Sequence, residues 1–284
     1  MKHQKAGIFF VIPWFLGLIL FTLFPLLTAV YIGFTDWNIA SDANFIGFAN
    51  YHYILTDPNF WNSLWVTVRY AVFSIPLSIT IAFTLAYILS KKIPLTNAFR
   101  VIYYLPAVVS GAAVAVIFKW ILNPSFGLIN GFLNIFGILG PDWLGDPNWV
   151  LPSYLVLAIW GSGSGLLIFL AAIKDVPKDL YEASRIDGAN RLQIAWFVTT
   201  PLVSPIIFYS LIIGLIGSFR KFTDAFILGG AGNQGRFLMV YLYELAFSDY
   251  SMGRATAVAW ILFIILISLT LIVNYTKKYW VHSS

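Results

Sequence analysis

The sequence contains no cysteine. This absence excludes disulfide bonds, thiolate metal sites and a cysteine nucleophile. Charged residues are also scarce, at 10% of 284 residues, against about 25% in an average soluble domain. With 60% hydrophobic residues, a soluble chain of this size could not bury its apolar surface. These proportions exclude soluble enzymes and soluble nucleic-acid-binding proteins, and the 18% aromatic content excludes disorder.

Patterns that would support catalysis are missing too. The three histidines, His3, His52 and His282, have no cluster of carboxylates beside them in the sequence, so we expect no metal site. No G-x-x-x-x-G-K-[ST] pattern occurs, so the chain cannot bind ATP through a P-loop by itself. Residues 230–235 fit G-x-G-x-x-G, but they follow an apolar run rather than a strand, so we expect no dinucleotide site.

Long apolar runs are the main feature that is present. A bilayer core of about 30 Å requires about 20 apolar residues per helix, and six runs qualify. They are Ile8–Phe34, Thr67–Leu89, Val101–Leu122, Leu151–Ile173, Pro205–Leu228 and Ala255–Val273. Unbroken apolar runs indicate helices, since the strands of membrane barrels alternate in polarity. The sequence therefore predicts an all-α membrane protein with six transmembrane helices, forming a single domain over residues 1–284.

The connections between these runs differ in charge. Eleven basic residues and four acidic ones fall in the two termini, in the second-to-third connection and in the fourth-to-fifth connection. The basic residues are Lys2, Lys5, Lys91, Lys92, Arg100, Lys174, Lys178, Arg185, Arg191, Lys277 and Lys278. The positive-inside rule then predicts a multi-pass protein with both termini in the cytoplasm. Because this charge lies beside apolar runs, we expect membrane lipid rather than nucleic acid around it.

The cytoplasmic connection over residues 174–205 has a readable local structure. Pro177 suits the first turn of a helix, which we expect to run to about Asp187. Gly188 permits the positive φ that reverses the chain, and a second, apolar helix is predicted from Ala189 to about Thr199, closed by Pro201. From the residues alone two interpretations stay open. This loop is either an amphipathic linker on the lipid surface or a helix that docks in a groove of another protein.

The same connection resembles a known signature. Glu182-Ala183-Ser184, then Asp187-Gly188-Ala189, an aromatic at Phe197 and the prolines of Pro201-Leu202 and Pro205 are similar to the "EAA" signature of ABC importer permeases. Ser184 departs mildly from the family's third small residue. Segments 100–106 and 123–130 resemble the sugar-permease branch, and within it the first of two paired permeases. The turn at residues 229–233 departs from the family's usual T-x-G-G-P.

This resemblance implies partners and a mechanism. A second permease would complete the pore, two cytoplasmic ATPase subunits would bind ATP, and an outer solute-binding protein would deliver a carbohydrate. The chain itself would be no enzyme and bind no cofactor. The residues implied in ATPase coupling are Tyr181, Glu182, Ala183, Ser184, Asp187, Gly188 and Ala189. ATPase closure would then rock the helices between inward-facing and outward-facing states in a bacterial inner membrane.

The resemblance also implies a substrate pathway. The residues at positions similar to sugar-contacting ones are Gly161, Ser164, Gly214, Gly217, Ser218 and Lys221. For each of them close helix packing through small residues is an equally good interpretation. Lys221, with Arg220 and Asp224, would either line the outer mouth of a pathway or extend to the interface by snorkelling.

Three other functions are weighed against a sugar importer. A permease of the same class for glycerol phosphate would use Arg220 and Lys221 to contact the anion. A secondary transporter would show midplane carboxylates and broken half-helices, and no acid lies centrally in any of the six runs. A membrane-embedded enzyme would need a cluster of His, Asp or Glu inside the runs, which is absent from the sequence.

Overall fold

The computed structural model describes residues 11–91 and 96–282, with the side chains of residues 96 and 97 excepted. Regular structure in these residues is helical, with an isolated β-bridge between Thr35 and Phe45. The all-α fold is therefore confirmed. Lys2, His3, Lys5 and Lys92, which entered the predictions above, lie outside the described residues.

The helices are numbered here in chain order. They are α1 (Val11–Ile32), α2 (Ala49–Thr56), α3 (Pro58–Leu89), α4 (Thr96–Val108), α5 (Gly111–Ile121), α6 (Leu128–Ile135), α7 (Pro147–Gly161), α8 (Gly163–Asp175), α9 (Lys178–Ile186), α10 (Arg191–Leu202), α11 (Ser204–Phe219), α12 (Thr223–Leu228), α13 (Leu238–Ser248) and α14 (Met252–Trp280). A short 3₁₀ turn spans Ala231–Asn233.

The chain divides into two compact units, and the smaller contains the described residues up to Trp61 together with Tyr241–Ile265. Its loop after α1 is held by Asn50, which is 4% exposed. The Asn50 Nδ2 donates to the carbonyl oxygens of Gly33 at 3.0 Å and Thr35 at 2.7 Å. The backbone N–H of Gly253 donates to the Trp37 carbonyl at 3.1 Å. These bonds satisfy backbone groups that lie outside helices and so have no partner within a helix.

The larger unit contains Asn62–Val240 and the chain from Leu266 onward. One apolar cluster in it is centred on three aromatic rings: Tyr70 and Tyr154 each pack edge-on against Phe237, with centroids 5.3 and 4.9 Å apart. A second cluster is centred on Phe169 and includes Leu166 and Val203. Both clusters bring together residues from several helices, so they fix the walls of the site described below.

Three of the six predicted runs are continuous helices long and apolar enough to cross a membrane: α1, α3 and α14. The other three are interrupted, which corrects the expectation of unbroken runs. The third run bends by 101° between α4 and α5, and the fourth by 46° between α7 and α8. The fifth ends as a helix at Phe219 rather than at Leu228, and α12 follows after a break. Six crossings remain a prediction.

Each interruption has a local cause. Pro106 lies in the last turn of α4 and supplies no backbone N–H to the helix ladder. Between α7 and α8 the chain reads Gly161-Ser162-Gly163, and Gly–Ser pairs are common at sharp bends. The Ile159 carbonyl accepts both the Ser162 backbone N–H at 3.2 Å and the Ser162 hydroxyl at 2.6 Å, so the last turn of α7 closes on Ser162. Gly163 lies so close to the Tyr103 carbonyl oxygen that a Cβ would overlap it.

This close approach generates a stability prediction. Gly163→Ala should lower the melting temperature of the purified protein, because overpacking against an immovable backbone atom costs about 2 kcal/mol. Gly161→Ala, two residues away, is the matched control, since a Cβ there meets no heavy atom within 4 Å. Equal melting temperatures for the two variants would show that α4 and α8 do not approach as described.

Candidate functional site

A cavity of about 650 Å³ lies within the larger unit. Its walls come from α3, from the α4–α5 and α7–α8 breaks, from α11 and from residues 221–224. Three interrupted regions therefore open onto one space: Val109 and Gly111, then Ser162, then Lys221 and Thr223. Irregular backbone at membrane depth is tolerated where it lines a cavity or is buried in protein, so the cavity accounts for the placement of the breaks.

All six residues of the predicted substrate pathway line this cavity. They are Gly161, Ser164, Gly214, Gly217, Ser218 and Lys221. They come from two separate stretches of the chain, and the structure brings them together. Contact with a substrate remains a prediction for each.

Close helix packing explains some of the cavity glycines but not others. A Cβ on Gly214 would lie 3.2 Å from the Ile75 side chain, so this glycine is needed for close packing of α11 on α3. A Cβ on Gly161 or Gly217 would meet nothing within 4 Å. Packing therefore explains Gly214 and leaves Gly161 and Gly217 as open surface of the cavity.

Nine of the residues that line the cavity bear hydroxyl groups. The Ser164 side chain is exposed, and its hydroxyl donates to the Gly161 carbonyl at 3.1 Å. Two large aromatic side chains, Trp160 and Tyr209, are also exposed and line the space. The lining hydroxyl residues are Tyr70, Ser74, Ser78, Ser162, Ser164, Tyr209, Ser210, Ser218 and Thr223.

The sequence reasoning missed the wall formed by α3. Tyr70, Ser74, Ser78 and Ala82 all line the cavity and recur every four residues. That spacing places them on one face of a helix. This four-residue spacing is visible in the sequence. It lies within an otherwise apolar run, which we interpreted only as a membrane span.

Two charged residues line the cavity, and they pair with each other. The Lys221 Nζ donates to an Asp224 carboxylate oxygen, and the Lys221 side chain is only 10% exposed. The ammonium lies 4.6 Å from the centroid of the Tyr70 ring and 5.5 Å from that of Tyr154. A cation over aromatic faces is stabilised by the ring quadrupoles. Neither residue extends away as snorkelling would require, and together they give the lining no net charge.

The predicted cytoplasmic loop has the expected helix–glycine–helix form. Helix α9 ends at Ile186, and Gly188 has φ = 80°. The second helix begins at Arg191 rather than at Ala189, because Asn190 forms a capping box. Its Oδ1 accepts from the Leu192 and Gln193 backbone N–H groups at 3.0 and 2.9 Å. We call the whole segment Lys178–Leu202, which contains α9 and α10, the elbow.

The end of the second helix also differs from the prediction. Pro201 does not close it, because the helix passes through a π-helical segment, Ile194–Thr199, and continues to Leu202. A π-helical segment re-routes the backbone bonds by one residue. The helix ends at a 71° bend into α11, where the Ser204 hydroxyl donates to the Pro201 carbonyl at 2.6 Å.

The residues of the EAA-like segment fall into two groups. Tyr181 and Ser184 are half-buried. The Tyr181 hydroxyl lies 3.3 Å from the Thr199 hydroxyl, and that of Ser184 donates to the Leu180 carbonyl of its own helix at 2.6 Å. Ala189 is half-buried. The exposed members are Glu182, Ala183, Asp187 and Gly188. Ile186, between them, is 86% exposed.

The end of α3 contacts the elbow and makes its flank positive. The Tyr87 hydroxyl donates to the Arg191 carbonyl at 3.1 Å. The Lys91 ammonium lies 4.3 Å from the centroid of the Tyr87 ring. Partial burial, followed by repulsion from Arg191 and Arg185, lowers the pKa of Lys91. The elbow is thus attached to α3 through Tyr87 and Arg191.

The glycine-rich segment after α12 is a loop. Gly229, Gly230 and Gly232 have φ of 67°, 156° and 59°, which glycine adopts readily. The segment neither follows a strand nor opens a helix, so it lacks the setting of a dinucleotide site. In the part of the chain that the structure describes, no group of three His, Cys, Asp or Glu residues could hold a metal.

Comparison with known proteins identifies the family. Residues 74–280 match the model for "Binding-protein-dependent transport system inner membrane component". The chain is 35% identical over 288 residues to the probable ABC transporter permease protein YesP of Bacillus subtilis, covering 99% of this chain and 93% of that protein. It is 34% identical to AmyD of Thermoanaerobacterium thermosulfurigenes, a probable starch degradation products transport system permease protein, covering 98% and 96%.

Further relatives agree with this assignment. The arabinooligosaccharides transport system permease protein AraP of Bacillus subtilis is 31% identical, covering 95% of this chain and 88% of that protein. A chain from the crystal structure of a bacterial alginate ABC transporter, in complex with alginate pentasaccharide-bound periplasmic protein, superposes with a TM-score of 0.87. It covers 98% of this chain and 95% of its own, at 23% identity, and so shows the same fold. This chain belongs to the family of binding-protein-dependent transport system inner membrane components and is an ABC transporter permease rather than an enzyme.

Proposed function

We propose that this permease imports a neutral carbohydrate. The observation that carries the proposal is the cavity lined by hydroxyl and aromatic side chains, whose single ion pair is internally neutralised. The names of its relatives support it, since two of them are permeases for starch degradation products and arabinooligosaccharides.

The lining chemistry suits a sugar. A saccharide needs many hydrogen-bonding groups and flat apolar surfaces for its ring faces, and ligand pockets combine apolar walls with a few placed polar groups. Serines on α3, α8 and α11 supply hydroxyls from opposite walls, and Trp160 and Tyr209 supply exposed rings. Gly161 and Gly217 leave the space that a sugar ring would fill.

The electrostatics of the cavity favour a neutral sugar over glycerol phosphate. Lys221 already donates to Asp224, so no unpaired cation lines the cavity to receive a phosphate. Arg220, the other cation invoked for an anion, is exposed and lies outside the lining. The broken helices that a secondary transporter would show are present, but the family is binding-protein-dependent, and the carboxylate in the lining is held by a lysine.

The partners belong to the same proposal. A second, homologous permease completes the pore, an outer solute-binding protein delivers the sugar, and two cytoplasmic ATPase subunits bind the ATP. Both termini lie in the cytoplasm of a bacterial cell, and residues 1–284 act as one transmembrane domain. The exposed face of the elbow docks in a groove of an ATPase. This role is supported by exposed Glu182, Ile186 and Asp187, which offer charge and apolar surface together.

Filling the cavity tests the transport pathway. Gly217→Leu should reduce uptake of radiolabelled maltooligosaccharides or arabinooligosaccharides in cells expressing the importer. The leucine side chain would extend into the open cavity and occupy space that a sugar ring needs, so we expect at least about tenfold lower uptake, the equivalent of roughly 1.4 kcal/mol of lost binding. Gly17→Leu is the control, because Gly17 also has open space around it and lies outside the cavity. If the Gly217→Leu importer assembles normally and takes up sugar at the normal rate, α11 does not line the transport pathway.

The ion pair makes a separate stability prediction. Asp224→Asn leaves a mostly buried ammonium without its counter-charge, so we expect a loss of about 3 kcal/mol in stability. A second change, Lys221→Met, removes that ammonium and should restore most of the melting temperature. If Asp224→Asn melts like the unaltered protein, the pair contributes nothing to stability and Lys221 is not held by Asp224, so the lysine is available to an anionic cargo and the argument for a neutral cargo fails.

Coupling is tested at Glu182. Glu182→Lys reverses a charge at an exposed position, so the chain should still insert and pair, but the ATPase subunits should no longer co-purify. Asp175→Lys reverses the same charge at an exposed position just before the elbow and should retain them. Co-purification and ATP-driven uptake that survive Glu182→Lys would contradict docking through this face.

A further inference from the structure

The connection between α5 and α7 has an unusual composition. Under the topology proposed above it is an outer loop with turns at Asn123-Pro124 and Gly140-Pro141, and no charged residue occurs between Lys119 and Asp142. Helix α6 lies in the middle of this stretch. With eight residues, α6 is too short to cross a bilayer, which takes about 20, and short apolar segments are typical of buried or interfacial positions.

The inner face of α6 is firmly attached to the larger unit. Asn130 is 5% exposed, and its Nδ2 donates to the carbonyl oxygens of Pro124 at 3.1 Å and Pro141 at 3.0 Å. Its Oδ1 accepts from the Trp143 indole N–H at 2.7 Å. Ile129 and Leu133 pack against the cluster of Tyr70 and Tyr154. The helix is therefore held in one orientation, and its outward face is a fixed surface.

That outward face is apolar. Leu128, Phe132, Ile135 and Phe136 are 59%, 61%, 77% and 65% exposed, and Leu139, just beyond the helix, is 90% exposed. The helical residues recur at spacings of three and four, as the apolar stripe of an amphipathic helix does. A face of this kind is not stable in water and needs a covering surface.

Three observations indicate lipid as the cover. The stretch of chain that carries the face, residues 120–141, contains no charged residue, whereas protein interfaces carry a polar rim. It continues the exposed apolar surface at the end of α5, where Ile117 and Trp120 are 52% and 51% exposed. Finally, the Trp120 and Phe126 rings lie 6.4 Å apart, and tryptophan is enriched where a membrane meets water.

We infer that α6 is an interfacial helix that lies in the outer leaflet of the membrane, with Leu128, Phe132, Ile135, Phe136 and Leu139 among the lipid chains. Amphipathic helices bind in this plane with their apolar face at the headgroup–acyl boundary. Because its inner face packs on the cluster that contains Tyr70, Val114 and Leu157, which also line the cavity, lipid contact holds one wall of the cavity in place.

The absence of cysteine in the chain allows a direct test. Ile135→Cys and Leu139→Cys are each labelled with a nitroxide in the full-length chain, purified with its partner subunits and reconstituted in nanodiscs of phosphatidylcholine and phosphatidylglycerol. Spin-label relaxation is measured with oxygen, which concentrates in lipid, and with a nickel complex, which stays in water. Phe21→Cys on α1 gives the lipid reference and Asp42→Cys the water reference. The unaltered chain, labelled alike, gives the background of the other subunits.

Both test positions should respond to oxygen and not to nickel, as Phe21→Cys does. Response to nickel at the level of Asp42→Cys would mean that the face lies in water and would overturn the inference. Protection from both reagents would mean that a protein, either the second permease or the solute-binding protein, covers the face, and would overturn it equally. Two test positions are used because a single cysteine variant could disturb the local fold and give a misleading result.

Discussion

The constraint on which this structure depends is that peptide groups released from a helix in an apolar setting must find new partners or face a polar space. The chain releases such groups at residues 109–110, at Ser162 and at residues 220–222. All three regions open onto the same cavity. Breaks that would destabilise a membrane helix elsewhere are thus concentrated where polar surface is useful to a permease. Discontinuous helices surround substrate sites in other transporters for the same reason.

Helix α11 connects the two functional regions of the larger unit. Its first residues follow the bend at the end of the elbow, where Ser204 accepts a hydrogen bond from the His282 backbone N–H at 2.9 Å. Its last turns carry Gly214, Gly217 and Ser218 into the cavity. A helix of 16 residues is a rod about 24 Å long. Under the proposed function, force applied to the elbow would reach the cavity wall along this rod, which is a rigid-body transition between two states.

Much of this arrangement could be predicted from the sequence. Apolar run lengths gave the helical class, Gly188 marked the reversal in the elbow, and the EAA-like segment led to the family. The six residues of the predicted pathway line one cavity, and their contact with a substrate stays a prediction. The breaks were missed because hydropathy measures how apolar a run is and contains no information on where it bends. The ion pair of Lys221 with Asp224 and the α3 face with Tyr70 and Ser74 depend on which helices become neighbours, and a single sequence does not specify that.

The most direct measurement is labelling of Gly217→Cys with a membrane-impermeant thiol reagent in the assembled importer. The reagent is applied from each side, with and without ATP, and with increasing neutral oligosaccharide. If the cavity is the transport pathway, labelling should change sides with ATP and should fall as the sugar occupies the space. If residue 217 is never labelled, or if it reacts equally under all conditions and sugar gives no protection, the cavity is not the pathway.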